Sequence, residues 1–400
     1  MKIAIDVRKI SDFGIGTYIR NVVRTLGRLQ HDNEYVLVGN TEKILAIGPL
    51  PQNFHTAPLG HTELSLAGWL QFRSIVRQSR CDLVHIPHLS WLPRGLPCPY
   101  VMTVHDLQEY LVGTRRTSAL KRSAHFQLTR RVLEGAARVI AVSEFTRNEI
   151  QSRFGIPDAK LDVTYNALDE RFRSGHATEA EKLLIAQRYQ VNYPFLLYVG
   201  SVSPHKNVVR SIEAFSALKA ELAKENQYPD LKLIIIGDDV SSHPDLRRTV
   251  LRSGMQNDVR FLGFVPIDIL RIFYDAAKVF VFPSLYEGFG LPPLEAMAHG
   301  TPVVTSNTSS LPEVVGDAAV LVNPENVFEI MRGLHSALLD PELRARLKQR
   351  SVAQAARFSW DSSVSVLLKS YAAANPRAAH TDPLVSVGRD LPPTRPDTSG

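Results

Sequence analysis

The sequence predicts an α/β protein with two doubly wound, Rossmann-like domains, each built on a parallel sheet. Strand-length apolar segments alternate with helix-length amphipathic segments, a pattern typical of parallel sheets that carry helices on both faces. The alternation runs through two series, which the polar segment 171–193 separates. A length of 400 residues also exceeds what one core usually spans, so two domains are expected.

The first series predicts a domain over residues 1–170. It begins with a strand at residues 2–7, followed by a glycine-rich loop that opens a helix with one apolar side. The other strands expected in this domain lie at residues 34–39, 82–87, 99–106, 138–143 and 161–169. Ligands of such sheets bind outside the carboxyl ends of the strands, so the polar residues found there are the first to consider.

The second series predicts a domain over residues 194–357, joined to the first by the connecting segment 171–193. Its strands are expected at residues 195–201, 231–239, 259–265, 279–282, 301–307 and 318–324. A last helix is predicted at residues 358–374. The remaining residues, 375–400, are rich in Pro, Ser, Thr, Asp and Arg without periodicity, which favours a disordered tail.

Composition limits the possible functions. The net charge of +6 is modest for this length and suits an anionic small molecule or surface, and no nucleic-acid-binding signature accompanies it. The N-terminus lacks the apolar stretch of a signal peptide, and the longest apolar segments are strand-length. Two cysteines that cannot form a CxxC pair favour a reducing compartment. These observations predict a cytoplasmic protein.

One stretch, residues 282–304, carries the strongest functional signal. An apolar strand leads into a glycine-rich loop with the carboxylate Glu287, and a helix-forming segment carries a second carboxylate, Glu295, in what we expect to be its first turn. Gly300 is placed to end that helix. Free N–H groups and the helix dipole make such a place suitable for an anion, although an ordinary βα turn with two surface glutamates has the same local sequence.

Several familiar cofactor motifs are missing. The segment 14–18, GIGTY, lacks the third glycine of the dinucleotide fingerprint, and the chain has no GxxxxGK[ST], no Asp-x-Asp and no HExxH. We therefore expect no cofactor and no metal, and positive charge must come from side chains and helix ends. Lys206, at a turn between a strand and a helix, is placed to neutralise a phosphate, or is a solvated surface lysine.

Together these motifs resemble the retaining GT-B glycosyltransferases of the Glu-x7-Glu type, a family 4-like group that uses nucleotide sugars. Glu287 and Glu295 with the following AMAHGTPVVTS match the signature, and YVGSVSPHKN resembles the loop that carries the diphosphate-binding lysine. TVHD, AVSEFT and GIGTY resemble three elements of the first domain. The segments GFGLPPLEAMAHGTPVV and SSLPEVVGDAA are most similar to the mannosyltransferase-like branch that builds bacterial polysaccharides. The order holds from about residue 1 to about residue 373 and implies two domains facing a cleft, with helix 358–374 crossing back to the first.

The resemblance implies a role for each residue. Glu287 would contact the donor sugar, Glu295 would accept hydrogen bonds from the ribose, and Lys206 would neutralise the leaving diphosphate. His105, with Asp106, would line the cleft beside the sugar and the acceptor hydroxyl, although a strand-end histidine bonded to backbone is the ordinary alternative. The donor-binding set would also include Gly14, Gly16, Ser201, Asn207, Val265, Gly288, Phe289, Gly290 and Leu291. Core packing is the alternative for Val265 and its neighbour Phe264.

One position departs from the family pattern. Many members carry an arginine directly after the glycine of the YVG strand, where this chain has Ser201. Either a serine hydroxyl and N–H groups suffice there, or another cation, Arg210 or His205, assists. The difference concerns how the phosphate site is built and does not affect the resemblance to the family.

A basic segment suggests where the protein acts. Residues 115–138 carry seven cations against the single acid Glu134, interleaved with apolar residues. The cations are Arg115, Arg116, Lys121, Arg122, Arg130, Arg131 and Arg138. Such a helix either contacts an anionic membrane, where lipid-linked acceptors are found, or presents a solvated charged face. The first reading predicts peripheral association with the inner face of the plasma membrane.

The predicted function is therefore retaining, metal-independent transfer of a hexose, specifically mannose from GDP-mannose, to a glycan or lipid-linked acceptor. Two alternatives stay open: an epimerase or phosphorylase with the same fold, and a catalytically silent subunit that binds nucleotide sugars. The sequence alone does not choose the base, the sugar or the acceptor.

Overall fold

The computed structural model describes residues 1–12, 14–29, 32–60, 65–89, 95–108, 118–173, 175–238, 241 and 243–375. Within them, strands form two parallel sheets, one from the first half of the chain and one from the second. Helices lie between most successive strands in both, as the sequence pattern predicts, although none is described between β4 and β5. The central strands of both sheets are buried almost throughout, and their sequences are accordingly nearly continuous apolar runs, whereas the edge strands are partly exposed.

The first sheet has seven strands in the order β3-β2-β1-β4-β5-β6-β7. Its strands are β1 (Lys2–Asp6), β2 (Glu34–Gly39), β3 (Phe54–Pro58), β4 (Leu83–Ile86), β5 (Tyr100–Val104), β6 (Arg138–Ala141) and β7 (Leu161–Val163). The helices among them are α1 (Ile15–Leu29), α2 (Thr41–Leu45), α3 (Leu66–Gln78), α4 (Ala119–Gly135) and α5 (Glu144–Phe154).

The second sheet has six strands in the order β10-β9-β8-β11-β12-β13. Its strands are β8 (Phe195–Gly200), β9 (Lys232–Gly237), β10 (Val259–Gly263), β11 (Val279–Phe282), β12 (Val303–Ser306) and β13 (Val320–Val322). The helices around it are α6 (Glu179–Tyr189), α7 (Val208–Lys224), α8 (Pro244–Arg252), α9 (Ile267–Ala276), α10 (Leu291–Ala298), α11 (Leu311–Val315), α12 (Val327–Leu339) and α13 (Pro341–Ala356).

The strand orders locate the crevices. Each sheet reverses its winding direction once, between β1 and β4 in the first and between β8 and β11 in the second. At such a reversal the two following loops diverge to opposite faces and leave a crevice at the carboxyl ends of the strands. The Lys206 loop follows β8 and the Glu287 loop follows β11, so the two loops flank the crevice of the second sheet.

Three elements differ from the sequence expectation. The loosely patterned stretch after β2 forms helix α2 and an edge strand, β3, and the last strand of the first sheet is shorter than the predicted 161–169. The connecting segment is ordered into helix α6, which begins with a capping box between Thr178 and Glu181. Glu181 also accepts a hydrogen bond from Arg271 of α9, so the connection packs on the second domain.

The last helix, α14 (Trp360–Ala374), lies on the first domain. The indole nitrogen of Trp360 donates to the carbonyl of Leu168 at 3.0 Å, and the hydroxyl of Tyr371 bonds to Nδ1 of the buried His85 at 2.7 Å. Beyond residue 375, the predicted tail lies outside the described residues. Among the helices that the structure describes, none has the length and hydropathy needed to cross a membrane.

Candidate active site

The centre of the site is an ion pair between the two loops that flank the second crevice. Lys206 Nζ lies 2.7 Å from Oε1 and 2.8 Å from Oε2 of Glu287, so one ammonium group binds both carboxylate oxygens. The two side chains are 18% and 11% exposed. The sequence assigned these residues to different parts of a donor, and the structure places their charges in direct contact. An anion bound near Lys206, or a hydroxyl group bound near Glu287, would therefore either replace the other member of this ion pair or bind alongside it.

The loop that carries Lys206 is rigidly held. Residues 204–206 form a short 3-10 turn, and Asn207 follows in the left-handed conformation, with φ of 60°, at the start of α7. The Asn207 amide donates to the carbonyls of Pro283 and Pro324 at 2.9 and 2.7 Å. Its buried side chain holds the loop to neighbouring segments, because both amide protons are used in these bonds, and its predicted contact with the donor stays a prediction.

Gly288 is one of the points at which the two domains touch. A Cβ atom on this residue would lie 1.7 Å from the carbonyl oxygen of His105, so only glycine allows the approach. The Gly288 carbonyl accepts hydrogen bonds from Ser143 at 2.6 Å and from Thr146 at 3.1 Å. These two hydroxyls belong to the AVSEFT segment at the start of α5, whose role the sequence left unassigned. The glycine loop is thereby held against the first domain.

His105 follows β5 and lies at this contact. Its Nε2 donates to the carbonyl of Pro87 at 3.0 Å, and the edge of its ring packs against Tyr18, with ring centroids 5.0 Å apart. Burial lowers the pKa of His105 to about 4, so the ring is neutral near pH 7. Because Nε2 must carry the proton to donate to a carbonyl, Nδ1 is an acceptor. Asp106 is exposed and accepts from the backbone of Gln108 at 3.1 Å.

Glu295 lies in different surroundings. Helix α10 begins at Leu291, so Glu295 falls in its second turn and the expectation of a first-turn position was wrong. The hydroxyl of Tyr274 donates to Glu295 Oε2 at 2.7 Å. Burial raises the pKa of Glu295 to about 7, the Tyr274 hydrogen bond opposes that rise, and the negative charge of Asp169 adds to it. The carboxyl is therefore close to half protonated at neutral pH.

The other predicted donor-binding residues divide by side-chain exposure. Val265 is 3% exposed, so only its backbone is placed to meet a ligand, whereas its neighbour Phe264 is 70% exposed. Phe289 is also core, at 4% exposure. Gly290 opens helix α10 with φ of 117°, and half-buried Leu291 is the first residue of that helix.

The glycines of the first domain form a tight turn before α1. Gly14 has φ of 52° and is exposed, as a turn glycine would be. A Cβ on Gly16 would lie 2.5 Å from the carbonyl oxygen of Ile10, so this position also requires glycine. The start of helix α1 therefore packs directly against the loop that follows β1, at the crevice of the first sheet.

Of the two cations suggested to compensate for Ser201, one is not charged. The Gln108 amide donates to Nδ1 of His205 at 2.5 Å, and burial together with the charge of Lys206 lowers the pKa of His205 to about 4. His205 is therefore neutral near pH 7 and supplies no positive charge. Arg210 donates to Asn207 Oδ1 at 3.0 Å, directly behind the lysine loop. Ser201 itself is half buried.

The contacts that join the domains around this site are not indicated by the sequence pattern. The carboxylate of Glu313 accepts the backbone N–H groups of Glu144 and Phe145, at 2.9 and 3.2 Å, and the hydroxyl of Tyr165 at 2.7 Å. Glu313 lies in the SSLPEVVGDAA segment, so a motif was visible, but nothing in it indicated a partner in the other domain.

A second cross-domain contact adjoins Glu287 itself. The hydroxyl of Tyr286 donates to Glu149 at 2.7 Å and accepts from the backbone N–H of Leu107 at 3.1 Å. This one side chain therefore ties the loop after β5 to the loop after β11.

Comparison with known proteins agrees with this arrangement. The model of the family described as Glycosyltransferase Family 4 matches residues 14–172, and that of Glycosyl transferases group 1 matches residues 181–354. The chain is 35% identical over 306 residues to O-antigen chain mannosyltransferase B of Escherichia coli, covering 74% of this chain and 75% of the relative.

Solved structures share the fold. Sucrose-phosphate synthase of Thermosynechococcus elongatus superposes with a TM-score of 0.74 at 19% identity, covering 95% of this chain and all of the other. Anabaena HepE, solved in complex with UDP and glucose, superposes with a TM-score of 0.73 at 19% identity, covering 93% and 99% of the two chains. At these identities the likeness concerns the two-domain architecture alone.

Proposed function

The chain belongs to the two-domain, GT-B-fold glycosyltransferases of group 1 and Family 4, and we propose that it transfers mannose from GDP-mannose to a glycan or lipid-linked acceptor in bacterial polysaccharide synthesis. The observation that carries the proposal is the Lys206–Glu287 pair at the crevice of the second sheet, which Gly288 holds against His105 of the first domain. The choice of mannose is supported by the relative that is named an O-antigen chain mannosyltransferase.

The pair supplies two functions that a nucleotide-sugar donor needs. Lys206 offers a positive charge to the leaving diphosphate, and Glu287 offers a carboxylate to the sugar hydroxyls and to the positive charge that develops at the anomeric carbon. When the donor binds and the Lys206–Glu287 contact breaks, each residue gains a new partner of opposite charge at the transition state. Lys206 then faces the leaving diphosphate, and Glu287 faces the positive charge at the anomeric carbon. Arg210 stands behind the loop as an additional cation.

We propose that the reaction retains configuration and needs no metal. The bond between the anomeric carbon and the diphosphate oxygen breaks, the acceptor oxygen bonds to the same face of that carbon, and the acceptor proton passes to the leaving phosphate. Lys206 and the N-terminal N–H groups of the helices at the crevice hold the charge of the diphosphate. Neutral His105, with Nδ1 as an acceptor, orients a hydroxyl of the sugar.

A transfer assay tests this proposal. The full chain is incubated with GDP-mannose, UDP-glucose or dTDP-glucose, with and without a mannose-terminated acceptor and with a chelator, and nucleoside diphosphate release is followed. We expect GDP release that requires the acceptor, and an axial linkage by NMR. An epimerase would convert the donor without releasing diphosphate during turnover, and a silent binding subunit would show affinity alone; either outcome would overturn the proposal.

We also propose that helix α4 contacts an anionic membrane surface. Its apolar residues Val132 and Leu133 are buried in the first domain and Phe126 stacks on Phe154, so the outward face carries charged residues together with the exposed Leu120. Lys121 and Arg131 are exposed on it. Arg115 and Arg116 lie outside the described residues, Arg130 pairs with Glu134, and Arg138 pairs with Asp162.

Vesicle sedimentation tests the membrane contact. Each exposed cation near an anionic surface contributes about 1 kcal/mol, so the double variant Lys121→Glu, Arg131→Glu should lose most of its binding to phosphatidylglycerol vesicles while keeping its transfer of mannose to a soluble acceptor. Equal sedimentation of the variant and the original protein would assign the helix face to solvent.

A further inference from the structure

A second cluster of chemically active side chains lies where the connecting segment meets the second domain. His176 of that segment, Asp275 of α9 and His299 at the end of α10 each offer one ligand atom, and these atoms lie within 4.8 Å of one another. Nδ1 of His176 is 2.6 Å and Nδ1 of His299 is 3.9 Å from the same carboxylate oxygen, Oδ1 of Asp275. The three residues come from separate parts of the sequence, so no motif with metal-ligand spacing indicates the cluster.

The carboxylate of this cluster is held in place by the backbone. Oδ2 of Asp275 accepts the N–H group of Ala177 at 3.1 Å, which leaves Oδ1 directed at the two imidazoles. The Asp275 side chain is 6% exposed. This fixed carboxylate oxygen is hydrogen-bonded to the exposed His176 and lies close to the buried His299, so three potential ligand atoms are brought together.

His299 gives an independent reason to look for a ligand. Its side chain is 2% exposed, its Nδ1 is 3.9 Å from Asp275 Oδ1 and so beyond hydrogen-bond distance, and its buried Nε2 has no hydrogen-bond partner in the described part of the chain. A buried ring nitrogen without a hydrogen bond loses the free energy of its hydration without compensation.

We propose that His176, Asp275 and His299 bind a transition-metal ion of the Zn²⁺ class. Two imidazoles and one carboxylate, with a fourth position open to solvent, suit Zn²⁺ better than Mg²⁺ or Ca²⁺, which take oxygen ligands. The ion would bridge the connecting segment to α9 and α10, the helices that carry Tyr274 and Glu295. It is a structural site apart from the chemistry of the cleft, for which we propose no metal.

The charges around the cluster decide what else would bind there. A cavity of about 480 Å³ opens onto the three ligands, and its lining includes Lys182, Lys278, Arg344 and Lys348. Lys182 Nζ is 3.8 Å from Asp275 Oδ2, but it is closer to Glu179, at 3.0 Å. The cationic lining favours an anionic fourth ligand, such as hydroxide, over water.

The test uses the full chain without a histidine tag, stripped with a chelator and then titrated with Zn²⁺. We expect one bound equivalent and a rise in unfolding temperature, since a ligand of the folded state stabilises it by mass action. His176 is 63% exposed, so His176→Ala should keep the fold in chelator and weaken Zn²⁺ binding by at least about 10-fold. The matched control is His335→Ala, which removes an imidazole that pairs with a single carboxylate, Glu225, at 3.2 Å.

Two results would overturn the proposal. The first is a stripped protein whose unfolding temperature does not respond to Zn²⁺. The second is equal Zn²⁺ affinity in the original protein, in His176→Ala and in His335→Ala. Co²⁺ substitution adds a spectroscopic check: visible absorption typical of a tetrahedral ion should appear in the original protein and in His335→Ala, and should be lost in His176→Ala.

Discussion

The two carboxylates of one motif, Glu287 and Glu295, lie in opposite electrostatic surroundings. Glu287 meets an ammonium group with both oxygens, at 2.7 and 2.8 Å. Glu295 meets a neutral hydroxyl, that of Tyr274, and feels the negative charge of Asp169. A cation favours the ionised form of a carboxyl group, whereas burial beside a like charge disfavours it.

This difference separates the tasks that the two residues can perform. Glu287 is a charge-balanced group at the loop between the domains, suited to an anionic and sugar-bearing ligand that replaces its contact with Lys206. Glu295 is a buried acid that ionises near pH 7. A ribose whose hydroxyls donate to Glu295 would favour the ionised form, so nucleotide binding and loss of a proton are coupled.

The largest expected effect comes from removing the charge-balanced group. Glu287→Ala should lower kcat by about 100- to 1000-fold, since it removes an electrostatic contact that strengthens in the transition state. GDP release measures this loss, and thermal unfolding serves as the control, because the partly exposed Lys206 can turn toward water. Full activity in Glu287→Ala would remove this residue from the reaction.

The next effect concerns the contact that holds Glu287 against the first domain. Gly288→Ala places a methyl group where the His105 carbonyl lies, so the two loops must separate. A displacement of about 1 Å costs about 100-fold in rate, so kcat should fall by that order. Gly60→Ala is the control, because a Cβ there meets nothing within 4 Å. Equal activity of the two variants would show that the close contact between Gly288 and His105 has no catalytic role.

The smallest effect isolates Glu295. The folded-state pKa of about 7 lies above the usual value near 4.5, so this residue's contribution to stability is fully present below pH 4.5 and is lost as pH rises toward and through 7. Between pH 5 and pH 8 the unfolding temperature of the original protein should therefore fall relative to that of Glu295→Gln. GDP affinity should rise over the same interval in the original protein only. Parallel pH profiles in both proteins would contradict the raised pKa.

The sequence predicted the parts of this site better than their contacts. Lys206 and Glu287 were each placed correctly after a strand, because loop composition and strand periodicity are local properties. Their pairing depends on β8 lying beside β11, although the residues are 81 positions apart, and that neighbourhood follows from the order of strands in the sheet. Local pattern does not encode strand order.

Burial limits how two of the predicted residues can act. Asn207 and Val265 lie in loops that the family motif associates with the donor, and their buried side chains serve the packing of those loops, so their contact with the donor stays a prediction. The cross-domain contacts of Glu313 and Tyr286 were missed because they depend on how one domain faces the other. Burial and domain orientation are properties of the assembled chain, whereas a motif reports only which loop approaches the ligand.

The different roles of the two acids are tested most directly by calorimetric titration of GDP and of GDP-mannose into the original protein, Glu287→Ala and Glu295→Ala at pH 8. We predict that Glu295→Ala weakens both ligands by about 10-fold, because both contain the ribose. Glu287→Ala should weaken GDP-mannose alone and leave GDP binding unchanged or tighter, since Lys206 is then free to meet the diphosphate. Equal losses for both ligands in both variants would contradict the assignment of Glu287 to the sugar and Glu295 to the ribose.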